Sequence, residues 1–407
     1  MVRSAFSIKI HRMLAESANA SATIIANPAS RPRRRILIVA GEASGDLHGA
    51  SLAQEILERD PQCELSGIAG AHMRAAGVNP LFKAEDIAGL GVAELASTIR
   101  LTLGALRTLR RKLRQEPPDL LILIDFAEFN MILAGVAKRA GVPVLYYITP
   151  QVWAWRRGRI GKLTRRADRL AVVFPFEAEL YAAAGDRVTF VGHPLLDKVH
   201  PAQDRAETLA RHEFRPRSKL LALLPGSRRG EIRYLLRPML EAARVLAGDH
   251  DLMPVIVLAP TLALDDLRAA AGPGIEGVRV ISGDSYSIIA ASELALVASG
   301  TATLETALLG CPMVIAYKMS PLTYILGRML ITGVDFIGMP NILAGRRIVP
   351  ELIQRQVTPV NLIRAAEPML AESLHAEVTA SLKAVAQRLG APGASARVAD
   401  IAMGMLR

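Results

Sequence analysis

At 407 residues the chain is long enough for two domains with proper cores, and a hydrophobic fraction of 51% excludes a disordered protein. A net charge of +11 calls for an anionic partner, which could be nucleic acid, anionic lipid or a phosphorylated substrate. Aromatics at 4% and the lack of an RNA-stacking motif weigh against nucleic acid.

Residues 1–35 stand apart. They carry Arg3, Lys9, Arg12, Arg31, Arg33, Arg34 and Arg35 against a single acid, Glu16. Basic, Ser/Ala-rich and acid-poor, the stretch resembles an organelle transit peptide. The plainer reading is a disordered basic arm or an over-extended start, with Met13 a second candidate start. A first strand is expected over residues 36–40. Gly41-Glu42-Ala43-Ser44-Gly45-Asp46 follows as a turn and 47–59 as a helix. Further strands are expected at 64–68, 120–124, 144–148, 169–173 and 188–191, alternating with helices. Gly192-His193-Pro194 closes this series, and 201–218 reads as a helix and connection. A second series runs through 219–224, 253–258, 278–282, 293–298 and 312–316. Continuous Val/Ile/Leu runs of this length suit parallel sheets covered on both faces.

The expected architecture is therefore α/β, with two Rossmann-like, doubly wound domains facing a central cleft. The divisions are an arm at 1–35, a first domain at 36–200, a second at 201–370 and C-terminal helices at 371–407. Ligands of such sheets bind beyond the carboxyl ends of the strands.

Two turns in the second half have the character of anion cradles. Ser299-Gly300-Thr301-Ala302-Thr303 links a strand to a helix expected at 306–309, and a helix start presents unpaired N–H groups and a positive dipole end to phosphate. Glu305 follows, where a carboxylate could hold sugar hydroxyls. Leu224-Pro225-Gly226-Ser227-Arg228 is similar and adds a guanidinium. Two cradles on one half of the chain suggest a diphosphate ligand.

The first half supplies acids. Gly41–Asp46 lacks the G-x-G-x-x-G spacing and places Glu42 and Asp46 where a pyrophosphate would be repelled, which argues against a NAD enzyme. These two acids could orient sugar hydroxyls or move protons. Alternatively Asp46 caps the following helix and Glu42 is merely solvated. Asp125 and Glu128 end a buried strand, where mutual repulsion and burial would raise a carboxylate pKa and suit a base. The alternative is a helix cap by Asp125 or Asn130. Thr149–Arg156 carries both tryptophans, Trp153 and Trp155, ahead of Arg157, Arg159, Lys162, Arg165, Arg166 and Arg169. Together with the basic, leucine-bearing stretch 95–114, it suits either a lipid-headgroup surface or ordinary solvated helices. The apolar stretch 319–339 contains Arg328 and Asp335. It reads as a loop or broken helix that could shelter acyl chains, or as a core or homodimer contact. Cys63 and Cys311 have no partner pattern and read as buried thiols in a reducing compartment.

Five motifs in order resemble the lipid-A-disaccharide synthase family of inverting glycosyltransferases. They are AGEASGDLHGA (40–50), PQVWAWR (150–156), LPGSRRGEI (224–232), SGTATLETAL (299–308) and PNILAGRRIVPELIQ (340–354). The resemblance implies the glycosyltransferase B fold and a peripheral enzyme on the inner face of the cytoplasmic membrane. The implied substrates are UDP-2,3-diacylglucosamine and 2,3-diacylglucosamine 1-phosphate (lipid X). The family's general base would fall on Glu128, where this chain has Glu for the usual Asp and Ala127 for the usual Pro. Its essential Asn would fall on Asn341. Asp125 and Glu42 are further catalytic candidates. Ser44, Asp46, Gln151 and Trp153 are candidates for the acceptor side, and Gly226, Ser227, Arg228, Ser299–Thr303 and Glu305 for the nucleotide. No metal or other cofactor is implied. The rival expectations are another UDP-sugar enzyme of this fold, either an epimerase or a soluble-acceptor transferase, and a non-catalytic nucleotide-sugar-binding protein at a membrane.

Overall fold

The computed structural model describes residues 33–87, 95–153, 157–320, 324 and 335–406. The arm at 1–32, Trp155, Arg156 and most of 319–339 lie outside the described residues. The first series runs β1 (Arg35–Ala40), α1 (Ala43–Arg59), β2 (Glu64–Ala69), α2 (Ala71–Ala75), β3 (Asn79–Lys83), α3 (Ala84–Ile87) and α4 (Leu95–Gln115). It continues with β4 (Leu120–Ile124), α5 (Ala127–Arg139), β5 (Val144–Tyr147), α6 (Ile160–Arg166), β6 (Arg169–Val172), α7 (Pro175–Leu180) and β7 (Val188–Phe190). The second runs α8 (Arg205–Arg211), β8 (Lys219–Leu224), α9 (Arg229–His250), β9 (Leu252–Val257), α10 (Leu264–Ala271), β10 (Arg279–Ile281), α11 (Ser285–Ala291) and β11 (Ser292–Ala298). It ends with α12 (Thr301–Leu308), β12 (Met313–Tyr317), α13 (Met339–Ala344), β13 (Glu351–Ile353), α14 (Pro359–Ala366), α15 (Glu372–Arg388) and α16 (Ala394–Met405).

The strands form two sheets, ordered β3-β2-β1-β4-β5-β6-β7 and β10-β9-β8-β11-β12-β13. Every recorded pairing is parallel. The central strands are buried on both sides. Ile36 and Ile38 of β1 face one apolar cluster, while Leu37 and Val39 face the other. That alternation is the period-two signature of a strand between two helical layers. In each sheet the order reverses beside the first strand, between β1 and β4 and between β8 and β11. Loops diverge there and leave a crevice.

Two edge strands escape the sequence pattern. β3 (NPLFK) contains a proline and is half exposed, and β13 has only three residues; neither offers the apolar run that reveals a central strand. Two helices begin earlier than expected. α1 starts at Ala43 and α12 at Thr301, because their small residues, which read as turn, enter helical geometry at once.

The chain crosses between sheets after β7 and returns ahead of α16, and the two crossings are bonded to each other. His193 N donates to Leu389 O (2.9 Å), Gly393 N to an Asp197 carboxylate oxygen (2.5 Å) and Arg397 Nε to Val191 O (2.9 Å). Arg397 also reaches Pro392 O and Ala391 O. α16 packs on α1, where Arg59 meets Asp400 at 2.8 Å, whereas α15 packs on α12 and α13. The C-terminal helices thus touch both sheets. Arg397→Ala leaves three carbonyls short of a charged donor and is expected to lower stability by about 2 kcal/mol. Urea unfolding checks this, and an unchanged midpoint would contradict the clamp.

Candidate active site

The loops after β1 and β4, at the first switch point, hold the acids. Asp125 (φ 46°) and Phe126 (φ 47°) are both left-handed, as is Ile148 (φ 58°) at the end of the neighbouring β5. Non-glycine residues in this region are strained, and such strain clusters at functional sites. The turn is held from beneath. Asn130, fully buried in α5, donates to Asp125 O (2.8 Å) and Ile124 O (3.2 Å), and the Tyr146 hydroxyl donates to Asp125 O (2.9 Å). Asn130 is therefore not a helix cap. The residue before α5 is Phe126, with no capping side chain.

Burial pushes the Asp125 carboxyl up to about 7, with the negative charge of Glu42 as the second cause; the Phe126 amide pulls the other way. Glu128 differs from expectation. It sits in the first turn of α5 with its side chain 58% exposed, and one oxygen lies 2.6 Å from Arg159 Nη1. The half-buried carboxyl of the pair, with the raised pKa, is Asp125.

Other first-sheet candidates separate in the same way. Asp46 is 4% exposed and accepts from the amides of Gly70 (2.7 Å), His72 (2.9 Å) and Met73 (3.1 Å). It tethers the start of α2, so its carboxylate is committed to the fold and not offered to a sugar. Trp153 is 6% exposed and packs edge-on against Phe176 (5.1 Å), so it is core and no open platform. Ser44 is half-buried in the first turn of α1, and Gln151 is exposed beyond β5. Glu177, which sequence reasoning passed over, is fully buried. It accepts from the Thr149 hydroxyl (3.1 Å) and the amides of Val173 (3.2 Å) and Phe174 (3.1 Å), tying the loop after β5 to the end of β6. Burial lifts its carboxyl to about 7.

The second switch point holds the cations and amides. Arg228 precedes α9 with its side chain 58% exposed. Its guanidinium lies 4.0 Å from Glu42 of the first sheet and 4.0 Å from Glu231. The Ser227 amide, expected to face a phosphate, donates instead to Glu231 Oε2 (2.8 Å), across Gly226. The exposed cation of this loop is thus Arg228, with Glu42 and Glu231 each 4.0 Å away. At α12, Gly300 provides no side-chain cap. The Thr303 amide and hydroxyl both go to Gly300 O (3.1 and 2.8 Å), so Thr303 is structural. The amides of Thr301 and Ala302 begin the helix without an intrahelical acceptor. Glu305, one turn in, accepts from the Tyr286 hydroxyl (3.0 Å), and burial raises its carboxyl above the ordinary range. Among the described residues, no group of three His, Cys, Asp or Glu is placed to hold a metal ion.

A carboxyl whose pKa is raised to about 7 thus has Glu42 as its charged neighbour, and Glu42 in turn faces an exposed arginine on the opposite sheet. Residues 36–398 match the family described as lipid-A-disaccharide synthetase. The lipid-A-disaccharide synthase of Geobacter metallireducens is 47% identical over 378 residues, covering 92% of this chain and 98% of that protein. The chain belongs to the lipid-A-disaccharide synthase family. It is accordingly a glycosyltransferase of lipid A biosynthesis. Distant solved structures carry the fold. The S. aureus MnaA–UDP complex has a TM-score of 0.61 at 13% identity, over 90% of this chain and 94% of that one. The calicheamicin glycosyltransferase CalG4 has a TM-score of 0.56 at 17% identity, over 92% and 99%. The two-domain glycosyltransferase B architecture expected from the family's motifs is the one present.

The raised carboxyls have a consequence for stability. Folding holds a proton on Asp125 and Glu177 to about 7, where the unfolded chain releases it near pH 4. Their contribution is therefore full below the unfolded value and is lost as pH rises through about 7. Urea unfolding from about pH 4 to about pH 8 should show a flatter pH dependence in Asp125→Asn than in the parent. Identical slopes would contradict the assignment.

Proposed function

We propose that the cleft between the sheets transfers 2,3-diacylglucosamine from UDP-2,3-diacylglucosamine to the 6-hydroxyl of lipid X, releasing UDP. The carrying observation is that Asp125, Glu42 and Arg228 converge from the two switch points. Asp125 takes the proton of the acceptor hydroxyl as its oxygen bonds to the anomeric carbon. The bond from that carbon to the diphosphate breaks on the opposite side, with its electron pair leaving on UDP, so configuration inverts. Arg228 and the Thr301 and Ala302 amides receive the charge that develops on the diphosphate. Glu305, steadied by Tyr286, accepts from the ribose hydroxyls. The base role thus passes from Glu128 to its neighbour, because Glu128 is turned out to solvent and onto Arg159, whereas Asp125 is the carboxyl that burial and Glu42 raise to about 7.

The direct test is to incubate the protein with both substrates and look for disaccharide and UDP. Asp125→Asn should retain UDP binding and lose about 10²- to 10⁴-fold in turnover. Glu128→Gln should lose far less, and the reverse ranking would return the base to Glu128. Arg228→Ala should weaken UDP binding by about 10- to 150-fold, the worth of a charge-assisted phosphate contact; unchanged affinity by calorimetry would remove Arg228 from the site.

We also propose that α4 rests on an anionic membrane surface. Leu101 and Leu103 are 48% and 46% exposed on a helix that also exposes Arg100, Arg107, Arg111 and Arg114; Ile132 on the adjoining α5 is 40% exposed. No helix among the described residues is long and apolar enough to cross a membrane. Each basic residue at such a surface contributes about 1 kcal/mol, screened by salt. Binding to anionic vesicles should therefore fall with ionic strength and with Leu101→Ser/Leu103→Ser. Co-sedimentation indifferent to both would contradict this surface.

A further inference from the structure

Asn341 cannot reach a substrate. It is fully buried, and its amide group spends every hydrogen-bonding position inside the protein. The nitrogen donates to Val349 O (2.9 Å) and Glu351 Oε1 (2.8 Å). The oxygen accepts from the amides of Ile348 (2.7 Å) and Val349 (3.0 Å). What it holds is the more telling side of the contact. Glu351 opens β13, is 9% exposed, and gathers two further donors, the amides of Gly338 (2.9 Å) and Ile337 (2.9 Å). Three N–H donors thus converge on one buried side chain.

The segment this carboxylate pulls in lies against the helix start. The Ser299 hydroxyl donates to Ile337 O (3.4 Å), and Ser299 N to Ala316 O of β12 (2.9 Å). Ser299 is followed directly by Gly300 and the first amides of α12. The fit is close: a Cβ on Gly338 would stand 2.3 Å from Ile315 Cδ1 of β12 and 3.0 Å from Glu351 Oε1. β13 is itself fixed to β12 by register and by the bond from Ile315 N to Pro350 O (2.9 Å).

We infer that Glu351 is a positioning residue for the diphosphate site. With Asn341 it seats Ile337–Gly338 against Ser299, and this sets the aim of the Thr301 and Ala302 amides. The inference rests on the reading of the α12 start as the diphosphate site. It assigns the effect of Asn341 to donor binding, and not to proton transfer at Asp125.

Glu351→Gln tests it. The substitution preserves shape and leaves Asn341 in place, but replaces an accepting oxygen with a donor facing other donors. UDP affinity by calorimetry and steady-state kinetics with both lipid substrates are the readouts. The dissociation constant for UDP and the KM for the UDP-sugar should rise about 10-fold or more, while the KM for lipid X holds. UDP affinity within about twofold of the parent in folded Glu351→Gln, whatever its melting temperature, would overturn the inference. Should that variant not fold, Gly338→Val keeps both buried polar groups and is too bulky for the space between Ile315 and Glu351, so that it displaces the segment. Several-fold weaker UDP binding is expected, and unchanged binding overturns the inference equally. A parent protein with no affinity for UDP would overturn the site reading and this inference with it. UDP bound equally by parent and variants overturns this inference alone.

Discussion

Asp125 and Phe126 sit in left-handed backbone, which an aromatic side chain in particular disfavours, and a buried asparagine holds them there. The chemistry of the first sheet depends on that turn. β4 is apolar throughout, so a carboxylate at its end leaves the sheet into a poorly solvated place. An ordinary continuation would carry Asp125 out with the helix, as it carries Glu128 out to solvent. The left-handed turn instead keeps Asp125 beside Glu42 at the switch point, and Asn130 and Tyr146 satisfy the carbonyls it leaves exposed. Strain of about 1–3 kcal/mol per residue is the usual cost of such backbone. Here it coincides with a carboxyl lifted to about 7.

The two halves of the site use opposite means. The first sheet raises the proton affinity of one acid by burial and a like charge. The second presents positive charge without burying it. Arg228 stays largely solvated, and the α12 amides gain from a helix dipole. Glu42 joins the two, since it repels Asp125 and faces Arg228 at 4.0 Å. Glu231 occupies the Ser227 amide, so the second sheet has one open cradle and one arginine where the motifs had suggested two equal cradles.

The sheets were legible in the sequence because their central strands are unbroken apolar runs between turn residues. β3 and β13 were not, because an edge strand needs only one paired side and no such run. The strand-end loops were legible as a set, since small residues and acids follow each apolar run. Their individual roles were not. Glu42, Asp46, Asp125 and Glu128 look alike in one dimension, yet Asp46 caps a distant helix, Glu128 pairs with Arg159 in solvent, and Asp125 is held back by its turn. Asn341 was visible only through family resemblance. Glu177 and Glu351 gave no sign, because what distinguishes them is convergence of backbone amides, which no local pattern encodes.

The pH dependence of kcat/KM tests the central claim most directly, because it reads Asp125 through the reaction itself. The account predicts activity rising with pH through an apparent pKa near 7, since the base must lose its proton to act. In Glu42→Gln, with the neighbouring negative charge removed, that limb should move to lower pH. A limb that stays in place in Glu42→Gln, or persists unchanged in the residual activity of Asp125→Asn, would contradict it.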